Sequence, residues 1–355
     1  MTDPLWNTET LLVSGESFLF FDNKESVRTL FPAKRILKLY SPFTGKVFEE
    51  GKDFRFLPGS DRIDLTEKSS IVPFPERYLH PDPETSVFFP EKGANAIVGG
   101  VDGKPVFFDE RDLFAKMRVE ADYEALPGTV FPAPPLRKEG HLPRFASLLR
   151  EKRELRIFLI GDSISFGSNA TGKIDVPPYQ PSYGELFAEE LRKRTGANVF
   201  FQNFAVGGAG CKDAFSLEEK WLFPPCDLLM VAYGMNDFAR MDEKEYGQTL
   251  RRIGEKKHFL HKDSEILFLS SMSGNPKWGR TPPEKAESFA KEVAVLASEE
   301  KHYGYADIYS FWQEILKKKS FYDLTGNGVN HPNDYGYRVY LTVLLALFRD
   351  ILPSE

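Results

Sequence analysis

The chain has 355 residues, 41% of them hydrophobic and 28% charged, and a formal net charge of −6. One hydrophobic core stops growing at roughly 250–300 residues, so this length predicts two domains. The acidic balance argues against a broad nucleic-acid surface, and the composition is that of an ordinary globular protein.

Met1 to Asn7 show no basic stretch followed by an apolar one, so no secretory leader is expected. The most apolar segment, Val339 to Leu347, is far below the ~20 residues a membrane helix needs. Cys211 and Cys226 are the only cysteines, which predicts buried thiols rather than a disulfide framework. Together these lead to the expectation of a cytoplasmic protein with no membrane or nucleic-acid partner.

Residues 1–145 read as the first domain. Short β-forming runs end at turn residues: Ser17 to Phe21 before Asp22-Asn23, Ile36 to Tyr40 before Ser41-Pro42, and Phe54 to Leu57 before Pro58-Gly59-Ser60. Strands at this spacing predict an all-β sandwich, jelly-roll-like, without an internal repeat. From Pro132 to Pro143, four prolines, Gly140 and several charges mark a crossover, and the boundary is placed near residue 145.

Residues 146–355 alternate strand and helix patterns. Leu155 to Ile160 reads as a buried strand. A helix should open at Ser182, with Glu185 completing a capping box, and close at Gly196. Further strands are expected at 199–204, 228–233, 266–270 and 305–308, with helices at 283–301 and from about 333 to 352. This alternation predicts a parallel sheet covered on both faces.

Ligands of open α/β sheets sit beyond the carboxyl ends of the strands. After the first strand comes Gly161-Asp162-Ser163; after the second, Asn203 and a turn containing Gly207-Gly208; after the third, Gly234-Met235-Asn236-Asp237. Asn330-His331-Pro332 precedes the last helix. A hydroxyl nucleophile needs a base to take its proton, and the tetrahedral intermediate needs donors for its oxyanion. Ser163 and His331 supply the first pair. The N–H groups of Ser163 and Gly208 and the amide of Asn236 supply the donors.

These four ordered blocks resemble those of the SGNH, or GDSL, hydrolases, and the resemblance covers residues from about 150 to 355. It implies a three-layer flavodoxin-like domain, ester hydrolysis through an acyl-serine, and no metal or organic cofactor. The family usually carries Asp three residues before its histidine; that position here is Gly328. Asp323 is the displaced acid to consider. Asn327, Asn330 or a main-chain carbonyl would instead leave a Ser–His dyad.

Other residues have plainer readings. Asn203, Asp162 and Asp237 read as braces for the active-site loops, and Ser163 alone would pass for a helix cap. Gly208-Ala209-Gly210 lacks the third glycine of a dinucleotide fingerprint. His258 and His261 lie three apart without further ligands, as on a solvated helix face. Trp278 follows the fourth strand and is a candidate substrate contact. The expected activity is removal of short acyl groups, acetyl above all, from a small acylated substrate such as an oligosaccharide. A lipid-directed thioesterase or lysophospholipase and a degenerate glycan-binding protein are the rivals. The N-terminal module would bind sugar or join homo-oligomers.

Overall fold

The structure is a computed structural model that describes residues 4–24 and 26–352. In the C-terminal half, five strands form a parallel sheet: Leu155–Gly161, Val199–Asn203, Leu228–Ala232, Glu265–Leu269 and Tyr303–Ala306. Their spatial order is second, first, third, fourth, fifth, the flavodoxin-like order. The third and fourth strands are buried along their whole length, because strands covered by helices on both faces cannot alternate.

The helices fall close to their expected places. Tyr183–Thr195 starts after Ser182 and stops at Gly196, whose φ of 72° only glycine adopts without strain. The expected capping box is not built: the Ser182 hydroxyl donates to the Glu185 carboxylate and caps no backbone N–H. Pro283–Ala297 and Asp334–Ala346 end earlier than the sequence suggested. The longest helix, Glu243–Leu260, has no counterpart among the expected elements. Asp242, accepting from Glu245 N at 2.8 Å, is the cap that announces it.

The N-terminal half is antiparallel β. Its main sheet has the order Trp6–Asn7, Leu12–Phe18, Val119–Ala125, Ala33–Tyr40, Val47–Phe48. A three-stranded sheet (Ser26–Arg28, Arg62–Leu65, Phe54–Phe56) shares an apolar core with it through Val13, Phe18, Leu39, Phe54, Ile63 and Tyr123. Only the run at 17–21 is displaced, since that strand ends at Phe18.

No helix or strand lies between Ala125 and Pro143. The boundary expected near residue 145 falls inside the helix Pro143–Arg150, which belongs to the C-terminal half by contact. Phe145 packs on Phe348, and Glu265 accepts from the N–H groups of Arg144 and Phe145.

The seam between the halves is buried and charged. Lys319 and Glu16, both fully buried, pair at 2.9 Å, and Arg118 meets Asp334 at 3.0 Å. Burial pushes the Glu16 carboxyl up, while Lys319, the Tyr123 hydroxyl and Leu30 N–H pull it back. Trp6 reaches across to Phe311, so one continuous apolar cluster spans both halves.

Candidate active site

The first strand lies between the second and third, so the loop after it is flanked by the loops after both. This is the switch point at which an open sheet leaves a crevice. At Gly161 a Cβ would stand 2.4 Å from Ser165 Oγ and 2.5 Å from Ala232 O, so only glycine lets the chain turn here. Asp162 then caps the short helix Ser163–Phe166, its carboxylate accepting from Ile164 N at 2.9 Å. Burial pushes the Asp162 carboxyl up to about 7; the Ile164 N–H offsets this and the nearby Asp237 carboxylate adds to it. Ser163 is the first residue of that helix and is 5% exposed. Its N–H, one of the donors a helix start leaves over, has no acceptor among the described residues.

The two flanking loops are tied to this turn. Val206 N donates to Gly161 O at 3.0 Å, which sets the Gly-rich turn beside the nucleophile. Asn203 braces both, donating to Ser165 O at 2.8 Å while its Oδ1 accepts from Ala205 N. Gly208 has φ of 77° and open space where a Cβ would go. Its N–H also lacks a partner among the described residues. Asn236 spends one amide hydrogen on Ala209 O at 3.0 Å, leaving the other for a ligand. Asp237 accepts from Cys211 N at 3.0 Å and so pins the far end of the Gly-rich turn.

His331 arrives from the other side. The loop carrying it is wound around one oxygen: Asn327 Oδ1 accepts from the N–H groups of Val329, Asn330 and His331 at 2.9–3.0 Å. The ring is 5% exposed, and Nε2 lies 2.9 Å from Ser163 Oγ. Its Nδ1 lies 2.7 Å from Asn169 Oδ1. Burial lowers the imidazole to about 4, so it is neutral at pH 7. Sequence reasoning missed Asn169. Its only signal is an asparagine, tolerant of positive φ, six residues after the serine.

The structure brings His331 onto Ser163 and sets the loops that carry Gly208 and Asn236 beside the nucleophile turn; two further expected residues lie elsewhere. Asp323 does not face His331: its carboxylate accepts from Leu19 N at 2.8 Å and Ser320 N at 2.9 Å, with Lys319 beside it. It therefore holds the seam and is no catalytic acid. Trp278 is 8% exposed, donates Nε1–H to Val98 O at 3.0 Å and packs with Ile97, Val106, Phe108 and Val329. Its ring is a joint between the halves, with little face left for a substrate. The position of the family's usual acid, Gly328, has φ of 84°, and a Cβ there would lie 3.0 Å from Phe107 O. The N-terminal half thus occupies the place an acid would need.

His258 stacks on His302 at 3.7 Å, and His261 bonds the carbonyls of Leu222 and Phe223. Among the described residues no group of three or more His, Cys, Asp or Glu gathers to hold a metal. No described helix is long and apolar enough to cross a membrane. Cys211 and Cys226 are both free and buried.

The family model of the GDSL-like lipase/acylhydrolase family matches residues 159–339. Similar solved structures include an acetylxylan esterase from Geobacillus stearothermophilus, with 19% identity, 57% of this chain and 97% of that chain covered, and a TM-score of 0.47. A member of the lipolytic G-D-S-L family from Veillonella parvula DSM 2008 has 20% identity, 56% and 98% coverage, and a TM-score of 0.44. A two-domain esterase active on acetylated mannans has 15% identity, 61% and 55% coverage, and a TM-score of 0.47. No curated protein matches the chain.

Proposed function

Since the chain belongs to the GDSL-like lipase/acylhydrolase family, we propose that this serine ester hydrolase removes short acyl groups, acetyl first among them, from a polyhydroxylated substrate such as an oligosaccharide. The observation that carries this reading is the 2.9 Å contact between Ser163 Oγ and a neutral His331 Nε2.

The reaction follows from that contact. Ser163 Oγ attacks the ester carbonyl carbon as Nε2 takes its proton. The carbonyl oxygen becomes an oxyanion that accepts from Ser163 N–H, Gly208 N–H and Asn236 Nδ2, each donor contributing roughly 2.7–4 kcal/mol. Nε2 then returns the proton to the departing alcohol, leaving an acyl-serine. Water, deprotonated by the same nitrogen, repeats the sequence and frees the acid.

Two features support a short acyl group and a polar leaving group. Beneath the helix Ser163–Phe166 the core is filled: the space lined by Asp162, Ser165, Tyr233, Ser271 and Tyr340 measures about 10 Å³, so no acyl tunnel opens into the sheet from that side. Three residues after the nucleophile Phe166, 40% exposed, lies under the Lys173 ammonium at 3.6 Å. An aromatic face beside a hydrogen-bonding cation suits a polyol better than a lipid tail.

A series of p-nitrophenyl esters tests this together with acetylated oligosaccharides followed by mass loss. Turnover should be greatest at two carbons and fall at least tenfold by eight. Ser163→Ala should lower kcat by about 10⁴-fold or more. A preference for long chains would replace the carbohydrate reading with a lipid-directed one. No turnover by the wild type on any ester would end the esterase reading.

A further inference from the structure

We infer that Asn169 is the orienting partner of His331, a neutral amide standing where the family usually places a carboxylate, and that the buried strut Arg118–Asp334–Thr171 holds it there. The inference rests on the esterase reading for its kinetic consequences, but not for its geometry.

Both ends of the Asn169 amide are spent. Nδ2 donates to Gly326 O at 3.3 Å, which fixes the amide's orientation and leaves Oδ1 as the atom facing the ring, 2.7 Å from His331 Nδ1. An acceptor there requires Nδ1 to carry the hydrogen, so Nε2 presents its lone pair to Ser163. That is the first of two tasks a catalytic acid performs, setting tautomer and ring angle. The second, stabilising the imidazolium by charge, an amide cannot perform.

Asn169 has φ of 66°, a conformation asparagine tolerates and most residues do not. A turn residue alone would account for that angle. It would not account for a buried side chain with its amide bonded to the base on one side and to the base's own loop on the other. The neighbouring backbone is held as firmly. Asp334, fully buried, accepts from Thr171 N at 2.9 Å and Thr171 Oγ1 at 2.7 Å, and Arg118 Nη2 reaches the same carboxylate at 3.0 Å. Tyr337 OH ties Ser168 O at 2.8 Å. Arg118 comes from the N-terminal half, so that half helps to place the group that places the base.

The carboxylates on the elements around the histidine loop are all engaged elsewhere. Asp162 caps Ile164, Asp334 is turned to Thr171 and Arg118, Asp109 is turned to Arg111 and Leu113 N, and Asp323 holds Leu19. The loops 168–172 and 325–330 carry no ionisable side chain. With no carboxylate to raise it, the buried imidazole stays low, at about 4, and remains a competent base in acid.

Two variants and one spectrum test the assignment. Asn169→Gly keeps the positive φ and deletes the amide. It should lower kcat for p-nitrophenyl acetate by about 10²- to 10⁴-fold with little change in KM. Asn169→Asp should keep turnover at pH 8 and move the acidic limb of kcat/KM up by about 1–3 pH units, because a carboxylate now favours the imidazolium. In the wild type, ¹⁵N resonances of the His331 ring should report hydrogen on Nδ1 and none on Nε2 above pH 5. Hydrogen on Nε2, an unmoved acidic limb in Asn169→Asp, or full kcat in a folded Asn169→Gly would each overturn it. The spectrum needs neither a variant nor turnover. If the wild type hydrolyses nothing, the esterase reading fails while the tautomer still decides this one.

Discussion

The α/β half presents its reacting groups on loops at the carboxyl ends of strands, each announced by a short block of sequence. The antiparallel half contributes none of them, yet it packs against the loops around the site. Phe107 closes the space above Gly328, Arg118 anchors the loop that carries Asn169, and Val98 takes the indole hydrogen of Trp278. One half thus supplies chemistry through side chains at strand ends. The other supplies placement through buried contacts that are distant in sequence.

The sharpest way to break that division is to remove a charge from the seam. Lys319→Ala would leave Glu16 fully buried and unpaired, which costs about 3–5 kcal/mol when one partner of a buried pair is lost. The cost should depend on pH. The buried Glu16 carboxyl is already raised in the intact protein, and without Lys319 it rises further. A group whose folded-state pKa lies above its unfolded value stabilises the fold below the unfolded value and loses that contribution as pH rises. Urea unfolding should therefore show a smaller loss at pH 4.5 than at pH 8. Glu16→Gln combined with Lys319→Met should recover most of it. A uniform loss at both pH values would mean that packing of the lysine stem, not charge, holds the seam.

Gly328→Asp sharpens the comparison at the site itself. It installs the residue type that the family usually carries three positions before histidine. The backbone angle is unsuitable, and the Cβ would press on Phe107 O, so we expect about 2–3 kcal/mol of lost stability and no gain in kcat. A raised acidic limb in the pH–rate profile, as from a working carboxylate, would show that the N-terminal half yields more easily than its contacts imply.

The same division explains what was legible beforehand. Gly161, Ser163, Gly208, Asn236 and His331 are local signals, each next to a strand or helix whose pattern is strong, and the crevice follows from the strand order. Asp323 misled because an acid eight residues before a histidine looks available until Leu19, some three hundred residues earlier, is seen to use it. Asn169 was invisible because its role depends on the fold bringing together residues 169, 326 and 331. The helix Glu243–Leu260 is absent from the expected elements although the sequence marks it, through the cap Asp242 and the buried face of Tyr246, Leu250 and Ile253.

Trp278 gives the smallest effect and the finest discrimination. From sequence it overlooks the cleft and invites a substrate role; in the fold its N–H and its ring face the N-terminal half. Beside it Val101 N donates to Lys277 O at 3.0 Å and Gly279 N to Gly99 O at 2.8 Å, so backbone pairing holds the segment even without the indole. Trp278→Phe keeps most of the apolar contact and deletes one hydrogen bond to the carbonyl of Val98, an exposed residue that water can reach. A cost of about 0.5–1.5 kcal/mol follows, with kcat and KM for acetylated oligosaccharides unchanged. If the ring instead stacks on sugar, KM rises several-fold while stability barely moves. Measuring both on one variant separates a joint between the halves from a wall of the substrate site.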